Sequence, residues 1–283
     1  MTSPHHRRFF SRLSPLAEQG ETLKERSDET PLLQVDGLNM VFGSNVVLRD
    51  IGFSVRRGES VAIIGESGCG KTVLLKTLIR LLVPMAGRVV FDGHDLASLS
   101  YFDLAKQQTR YGFVFQQAAL FDSMTIGENI AFPLRQHSNK SNIEIQEIVY
   151  RLLHEVGLTE QTADKKPGEL SGGMRKRVGF ARALALEPEL ILYDEPTTGL
   201  DPIMSDVINE LMIETHRQHD VTSIMVTHDM KSACKVADRM MMLFPVPQLN
   251  GDEPQIIFDG TPEEIRRAVD PRVVQFLHGK AKR

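Results

Sequence analysis

The stretch Gly65-Glu66-Ser67-Gly68-Cys69-Gly70-Lys71-Thr72 constrains this 283-residue chain more than any other. It follows the apolar run Val61-Ala62-Ile63-Ile64, which reads as a buried strand. After it, Val73, Leu74, Leu75, Leu78, Ile79 and Leu82 recur at helical spacing. Strand, G-x-x-x-x-G-K-[ST] loop and helix in that order predict a phosphate-binding turn in an α/β sheet. The glycines let the backbone wrap an anion, and the loop N–H groups and helix N-terminus face it. Lys71 is then set to reach the β- and γ-phosphates of a nucleotide such as ATP, and the Thr72 hydroxyl to ligate Mg²⁺. The plainer alternative, a glycine turn before a helix, leaves the lysine and hydroxyl without a purpose.

A second element has the same destination. Leu190-Ile191-Leu192-Tyr193-Asp194-Glu195 is an apolar run ending in two acids, as in a central parallel strand buried on both faces. Its carboxylates emerge at the strand's C-terminal end, where open α/β sheets bind ligands. Asp194 suits the outer shell of Mg²⁺. Glu195 is placed to take a proton from a water attacking the γ-phosphate. Both acids could instead cap the turn that Pro196 and Gly199 announce.

With Leu170-Ser171-Gly172-Gly173-Met174 lying between these elements, the chain resembles the ATP-binding cassette (ABC) family over about residues 32 to 265. The resemblance implies an α/β fold: a RecA-like, mostly parallel core sheet, an antiparallel β subdomain and an α-helical subdomain. It implies that Ser171, Gly172 and Gly173 open a helix whose N–H groups grip the γ-phosphate held by a second copy, a helix N-terminus used as an anion site. Gln116 resembles the glutamine that contacts Mg²⁺ and senses a membrane partner, with Gln117 as the alternative. Gly199-Leu200-Asp201 resembles the loop that crosses the dimer interface. His228 matches the histidine that contacts the γ-phosphate, and Phe42 the aromatic that stacks on adenine, although a core aromatic fits Phe42 too.

The segments divide as 1–30, a flexible extension; 31–265, the cassette, with a helical subdomain inserted at about 118–185; and 266–283, a short C-terminal segment. Ile145, Ile148, Val149, Leu152, Leu153 and Val156 form one helix face ending at Gly157. Turns at Arg57-Gly58, Ala86-Gly87 and Asp92-Gly93 are expected to separate antiparallel strands. No run approaches the roughly 20 apolar residues of a membrane span, so a membrane path would belong to another polypeptide. Arg7-Arg8-Phe9-Phe10 has no apolar stretch after it and is not read as an export signal. The net charge of −4 gives no electrostatic case for nucleic acid. Two cysteines, Cys69 and Cys234, fit a reducing compartment. Cys69, beside Lys71 and a helix N-terminus, is expected to favour thiolate if it is reactive at all, and otherwise to be a small residue that fits. His216 and His219 are read as a solvated helix face, not as metal ligands.

Substrate class rests on two further stretches. Met174-Arg175-Lys176-Arg177 departs from the common ABC ending and is similar to ATPases of Mce-associated, Mla-type lipid transporters. The stretch from Asp270 to Gly279 resembles the same subfamily. The resemblance implies a homodimer beneath an integral-membrane permease, an Mce-domain lipid-binding protein as partner, and phospholipid as cargo. It implies a peripheral place on the cytoplasmic face of the inner membrane. An ABC ATPase for a polar solute, or a mechanical ABC module without cargo, would share the same ATP chemistry.

Overall fold

The computed structural model describes residues 30–278, and a compact unit begins at Pro31. The expectations for residues 1–29, the flexible extension and the Arg7-Arg8 pair among them, lie outside the described residues. The first strands, Leu33–Phe42 (β1) and Asn45–Val55 (β2), form an antiparallel hairpin in which Phe42 pairs with Asn45. The two-residue turn places Gly43 at φ 59°, which suits glycine. Ser60–Ile64 (β3) is buried along its whole length and leads into the phosphate loop and helix Lys71–Leu78 (α1). Ala86–Phe91 (β4) returns antiparallel to β1, followed by the two-residue strand His94–Asp95 (β5), so the first sheet runs β2-β1-β4-β5.

Two expectations shift here. Helical spacing carried α1 to Leu82, yet it stops at Leu78, because Arg80 turns left-handed (φ 57°) and the N–H groups of Leu81 and Leu82 both donate to the Lys76 carbonyl. Ala86-Gly87 is part of β4 and not a turn. Gly87 sits where β1 bulges at Gly37, and a Cβ there would lie 2.3 Å from the Gly37 carbonyl oxygen, so only glycine lets the backbones meet.

The chain continues through Tyr101–Gln108 (α2) and Tyr111–Val114 (β6) to three helices. Ile126–His137 (α3) and Asn142–Glu155 (α4) each begin with a capping box, Thr125 with Glu128 and Ser141 with Glu144. Gly172–Leu184 (α5) is capped by Ser171, whose hydroxyl accepts the Met174 N–H. Leu190–Asp194 (β7), Pro202–His219 (α6), Thr222–Thr227 (β8), Met230–Val236 (α7), Arg239–Leu243 (β9) and Ile256–Gly260 (β10) follow. Short helices Pro262–Ile265 (α8) and Pro271–His278 (α9) complete the described chain.

The second sheet runs β10-β9-β3-β8-β7-β6, parallel from β9 to β6 with β10 antiparallel at its edge. Alternation along its strands feeds two cores. Ala62, Ile64, Ile191, Tyr193 and Met225 face the helical side, whereas Val61, Ile63, Leu190, Leu192, Ile224 and Val226 face the first sheet and α1. Each such side chain, buried between layers, contributes roughly 1.5–3 kcal/mol. That is why Val61–Ile64 and Leu190–Tyr193 read as unbroken apolar runs, and Ile224–Val226 as a shorter one.

Candidate functional site

The register of the parallel sheet brings the loops together. Ile64 pairs with Thr227, Val226 with Asp194, and Tyr193 with Val114. The residues just beyond these strand ends are Gly65, His228, Glu195 and, two past β6, Gln116. They share the C-terminal edge of one sheet, where parallel α/β sheets bind ligands.

The phosphate loop is anchored from below. A Cβ on Gly65 would fall 2.3 Å from the Leu243 carbonyl and 2.8 Å from Cys69 Sγ, so the loop lies directly on β9 and its own cysteine. Gln255, buried just before β10, donates to the Cys69 and Val47 carbonyls, both at 3.0 Å, and accepts the Arg49 N–H. Lys71, only 6% exposed, donates from Nζ to the carbonyls of Gly65 at 2.8 Å and Glu66 at 3.1 Å. The same Nζ stands 3.8 Å from Glu195 Oε1. The expected thiolate character of Cys69 is not found: the thiol is buried, and desolvation raises its pKa despite the nearby Lys71. The bland reading of Cys69 as a fitting small residue is the one the structure bears.

Thr72 Oγ1 donates to Asp194 Oδ1 at 2.7 Å. Burial raises the Asp194 pKa, and the Thr72 bond opposes that shift. A hydroxyl and a carboxylate are hard oxygen donors that fit Mg²⁺, which takes few protein ligands and leans on substrate phosphates. Among the described residues no three His, Cys, Asp or Glu side chains cluster as a metal site.

Glu195 adopts φ 49°, a left-handed conformation that costs a non-glycine residue roughly 1–3 kcal/mol. Its N–H donates to the Val226 carbonyl at 2.9 Å, which ties it to β8. Its Oε2 accepts the Thr198 hydroxyl at 3.0 Å and lies 2.8 Å from His228 Nδ1. The His228 side chain is 52% exposed, so it joins the carboxylate to the open edge of the sheet. Thr198 is a site residue that the sequence did not single out. Its only signal was a hydroxyl in a Pro-Thr-Thr-Gly turn.

Other expected residues lie apart from this cluster. Ser171 and Gly172 are exposed at the N-terminus of α5. Asp201 caps α6, accepting the N–H groups of Ile203 and Met204, and therefore fixes the loop after Gly199. Gln116 is exposed. Phe42 is 47% exposed at the tip of the β1–β2 hairpin, whose Val47 and Leu48 lie against Gly70. Behind Gln116 an apolar groove of about 400 Å³ opens between β6, α3 and α5, lined by Phe113, Phe115, Phe121, Phe132, Pro133 and Leu186. The loop on its rim is held rigidly: Arg182 donates to the Ala118 and Ala119 carbonyls, and buried Asn129 bonds both backbone groups of Phe121.

A glycine-rich loop closing on a helix N-terminus, with an Asp-Glu pair at the end of a nearby parallel strand, defines a P-loop nucleotide-binding cassette. The family model described as ABC transporter matches residues 48–198. The chain is 41% identical over 248 residues to the probable ribonucleotide transport ATP-binding protein mkl of Mycobacterium tuberculosis, covering 88% of this chain and 67% of that one. It is 38% identical over 250 residues to the intermembrane phospholipid transport system ATP-binding protein MlaF of Haemophilus influenzae, covering 88% and 91% respectively. Among solved structures, the cassette MJ0796, dimeric in a post-hydrolysis state bound to ADP and Pi, superposes with a TM-score of 0.73 at 29% identity, covering 81% of this chain and 98% of that one. The chain belongs to the ABC transporter family, as an ATP-binding, ATP-hydrolysing subunit.

Proposed function

We propose that this subunit drives a phospholipid transporter of the Mla type, working as a homodimer beneath an integral-membrane permease. The cargo reading rests on MlaF, a phospholipid transport protein matched along 91% of its length, together with the Met174-Arg175-Lys176-Arg177 and Asp270–Gly279 stretches. The dimer is supported by the dimeric state of MJ0796. Among the described residues no helix is long and apolar enough to cross a membrane. In this reading the permeation path belongs to the permease, and the likeness to MlaF supports a peripheral position at the cytoplasmic face of the inner membrane. The aromatic groove behind Gln116 has the size and chemistry to seat a short helix of that permease. An Mce-domain lipid-binding protein completes the expected complex.

One observation supports this reading of the ATP chemistry: the Glu195 carboxylate is held between His228 and Thr198, with its Oε1 3.8 Å from Lys71 Nζ. In this reading Glu195 orients the attacking water and accepts its proton, and His228 holds the carboxylate and faces the γ-phosphate. Lys71 exchanges its loop carbonyls for β- and γ-phosphate oxygens, and the loop N–H groups of residues 65–72 stabilise charge on the transferring group. Phe42 stacks on adenine. Thr72, Asp194 and Gln116 would hold Mg²⁺, which would neutralise phosphate charge. Ser171, Gly172 and Gly173 contact the ATP of the second copy, and Asp201 meets that copy across the interface.

A second reading, transport of a nucleotide or another polar solute, is favoured by the name of the mycobacterial relative. Purification of the tagged chain from its native membranes in mild detergent separates the two. A permease with an Mce-domain protein and bound phospholipid supports the lipid reading; a soluble solute-binding protein in its place supports the second.

A further inference from the structure

In the basic run Arg175-Lys176-Arg177, Lys176 is the buried member; it is 7% exposed, whereas its two neighbours are half-buried. Its Nζ donates to the carbonyls of Pro196 and Thr198, both at 2.7 Å. Thr198 in turn gives both its donors to Glu195: the N–H to the Glu195 carbonyl at 3.2 Å and the hydroxyl to Oε2 at 3.0 Å. Burying an ammonium is costly, and burial pushes the Lys176 pKa down to about 8 against the attraction of Glu195. An apolar side chain would fill the same space without that cost. The donors themselves are therefore what the position uses.

We propose that Lys176 is a positioning residue for Glu195: by gathering the Pro196 and Thr198 carbonyls it fixes the turn that aims the carboxylate, and it ties that turn to the helix opened by Ser171. The left-handed backbone at Glu195 is a conformation that persists only when its surroundings impose it, and this turn is part of those surroundings. The inference rests on the reading of Glu195 as the water-activating group and of Ser171 as the contact to the second copy's ATP. On that reading, engagement of phosphate by α5 in one site is felt by the carboxylate of the other through Lys176 and Thr198.

The test uses the full-length chain with Lys176→Met, Lys176→Gln and Thr198→Val, and Lys176→Met combined with Thr198→Val. ATPase rate against ATP concentration and equilibrium ATP binding are read for each. Lys176→Met should lower kcat roughly 10- to 100-fold while KM and ATP affinity stay within about threefold, because the lost interaction acts on the reacting geometry and not on ground-state binding. Lys176→Gln, which keeps two N–H donors without the charge, should recover kcat to within about threefold of the unmodified chain. Thr198→Val should show the same split, and the double variant should be no slower than Lys176→Met alone, since both act through one turn. If thermal melting shows Lys176→Met to be unfolded, the kcat-only loss in Thr198→Val and the recovery in Lys176→Gln carry the test. A rise in KM at unchanged kcat, additive losses in the double variant, or a Lys176→Met chain as fast as the unmodified one overturns the proposal. Glu195→Gln is the reference: if it turns over ATP normally, the reading of Glu195 itself has failed, and if it is inactive while Lys176→Met is fast, only the positioning role has.

Discussion

Replacing Glu195 with glutamine separates binding from chemistry in one substitution. The amide keeps the shape and can still accept the Thr198 hydroxyl, so the turn and the φ 49° backbone should survive. On the proposed reading of Glu195 as the general base, however, the base is gone, and loss of a positioned general base lowers turnover by about 10²–10⁴-fold. Removing the charge also frees Lys71, whose Nζ stands 3.8 Å from Glu195 Oε1. At that separation the gross attraction is roughly 4 kcal/mol at an effective dielectric of 20, most of it offset by desolvation. A net change of about 1 kcal/mol would tighten ATP binding by about fivefold, each 1.4 kcal/mol being a factor of ten. The assay pairs phosphate release at saturating ATP with equilibrium binding of labelled ATP. The reasoning is refuted if the variant hydrolyses ATP within twofold of the unmodified rate, or if it binds ATP much more weakly.

Other consequences are independent of that experiment. Gly87→Ala should destabilise the chain by about 2–4 kcal/mol, the cost of a backbone clash and a strained positive φ, read as a lower urea midpoint; an unchanged midpoint would mean that β1 and β4 can part freely. Lys176, with its pKa lowered from 10.5 to about 8, is protonated in the unfolded but not the folded chain between those values, so its contribution to stability is lost as pH falls through about 8. Unfolding free energies of the unmodified chain and Lys176→Gln should therefore diverge by about 2 kcal/mol in favour of the former between pH 7 and 9.5, and a constant difference contradicts the burial argument. Cys69, buried and with a raised pKa, should resist alkylation at neutral pH while the chain is folded, leaving ATPase activity intact; rapid loss of activity that ATP prevents would restore the thiolate reading.

Much of the site was legible because its chemistry dictates residue type at short spacing. The loop from Gly65 to Thr72, the Asp194-Glu195 strand end and the Ser171 cap are each local statements, and the structure gives each the backbone its sequence implies. What escaped depends on distant partners. Lys176 reads as one of several basic residues on a helix, and only the carbonyls of Pro196 and Thr198, some 20 residues on, reveal that it is buried. Cys69 looks activated by its neighbours in sequence, yet its burial in the fold raises its pKa despite the nearby Lys71. Gly87 looks like a turn because the β1 bulge that demands a glycine lies about 50 residues earlier, at Gly37. The overrun of α1 to Leu82 has the same cause: apolar spacing continues after the backbone has already turned at Arg80.

The most direct test of the account is ATP-driven lipid movement by the purified complex of this chain with its permease. The complex is reconstituted into vesicles carrying a fluorescent phospholipid, and transfer to acceptor vesicles or to the proposed Mce-domain partner is followed on adding ATP and Mg²⁺. The account predicts transfer that requires hydrolysable ATP and disappears when this subunit carries Glu195→Gln. ATP hydrolysis that is stimulated by a nucleotide or another polar solute, with no lipid transferred, would contradict it.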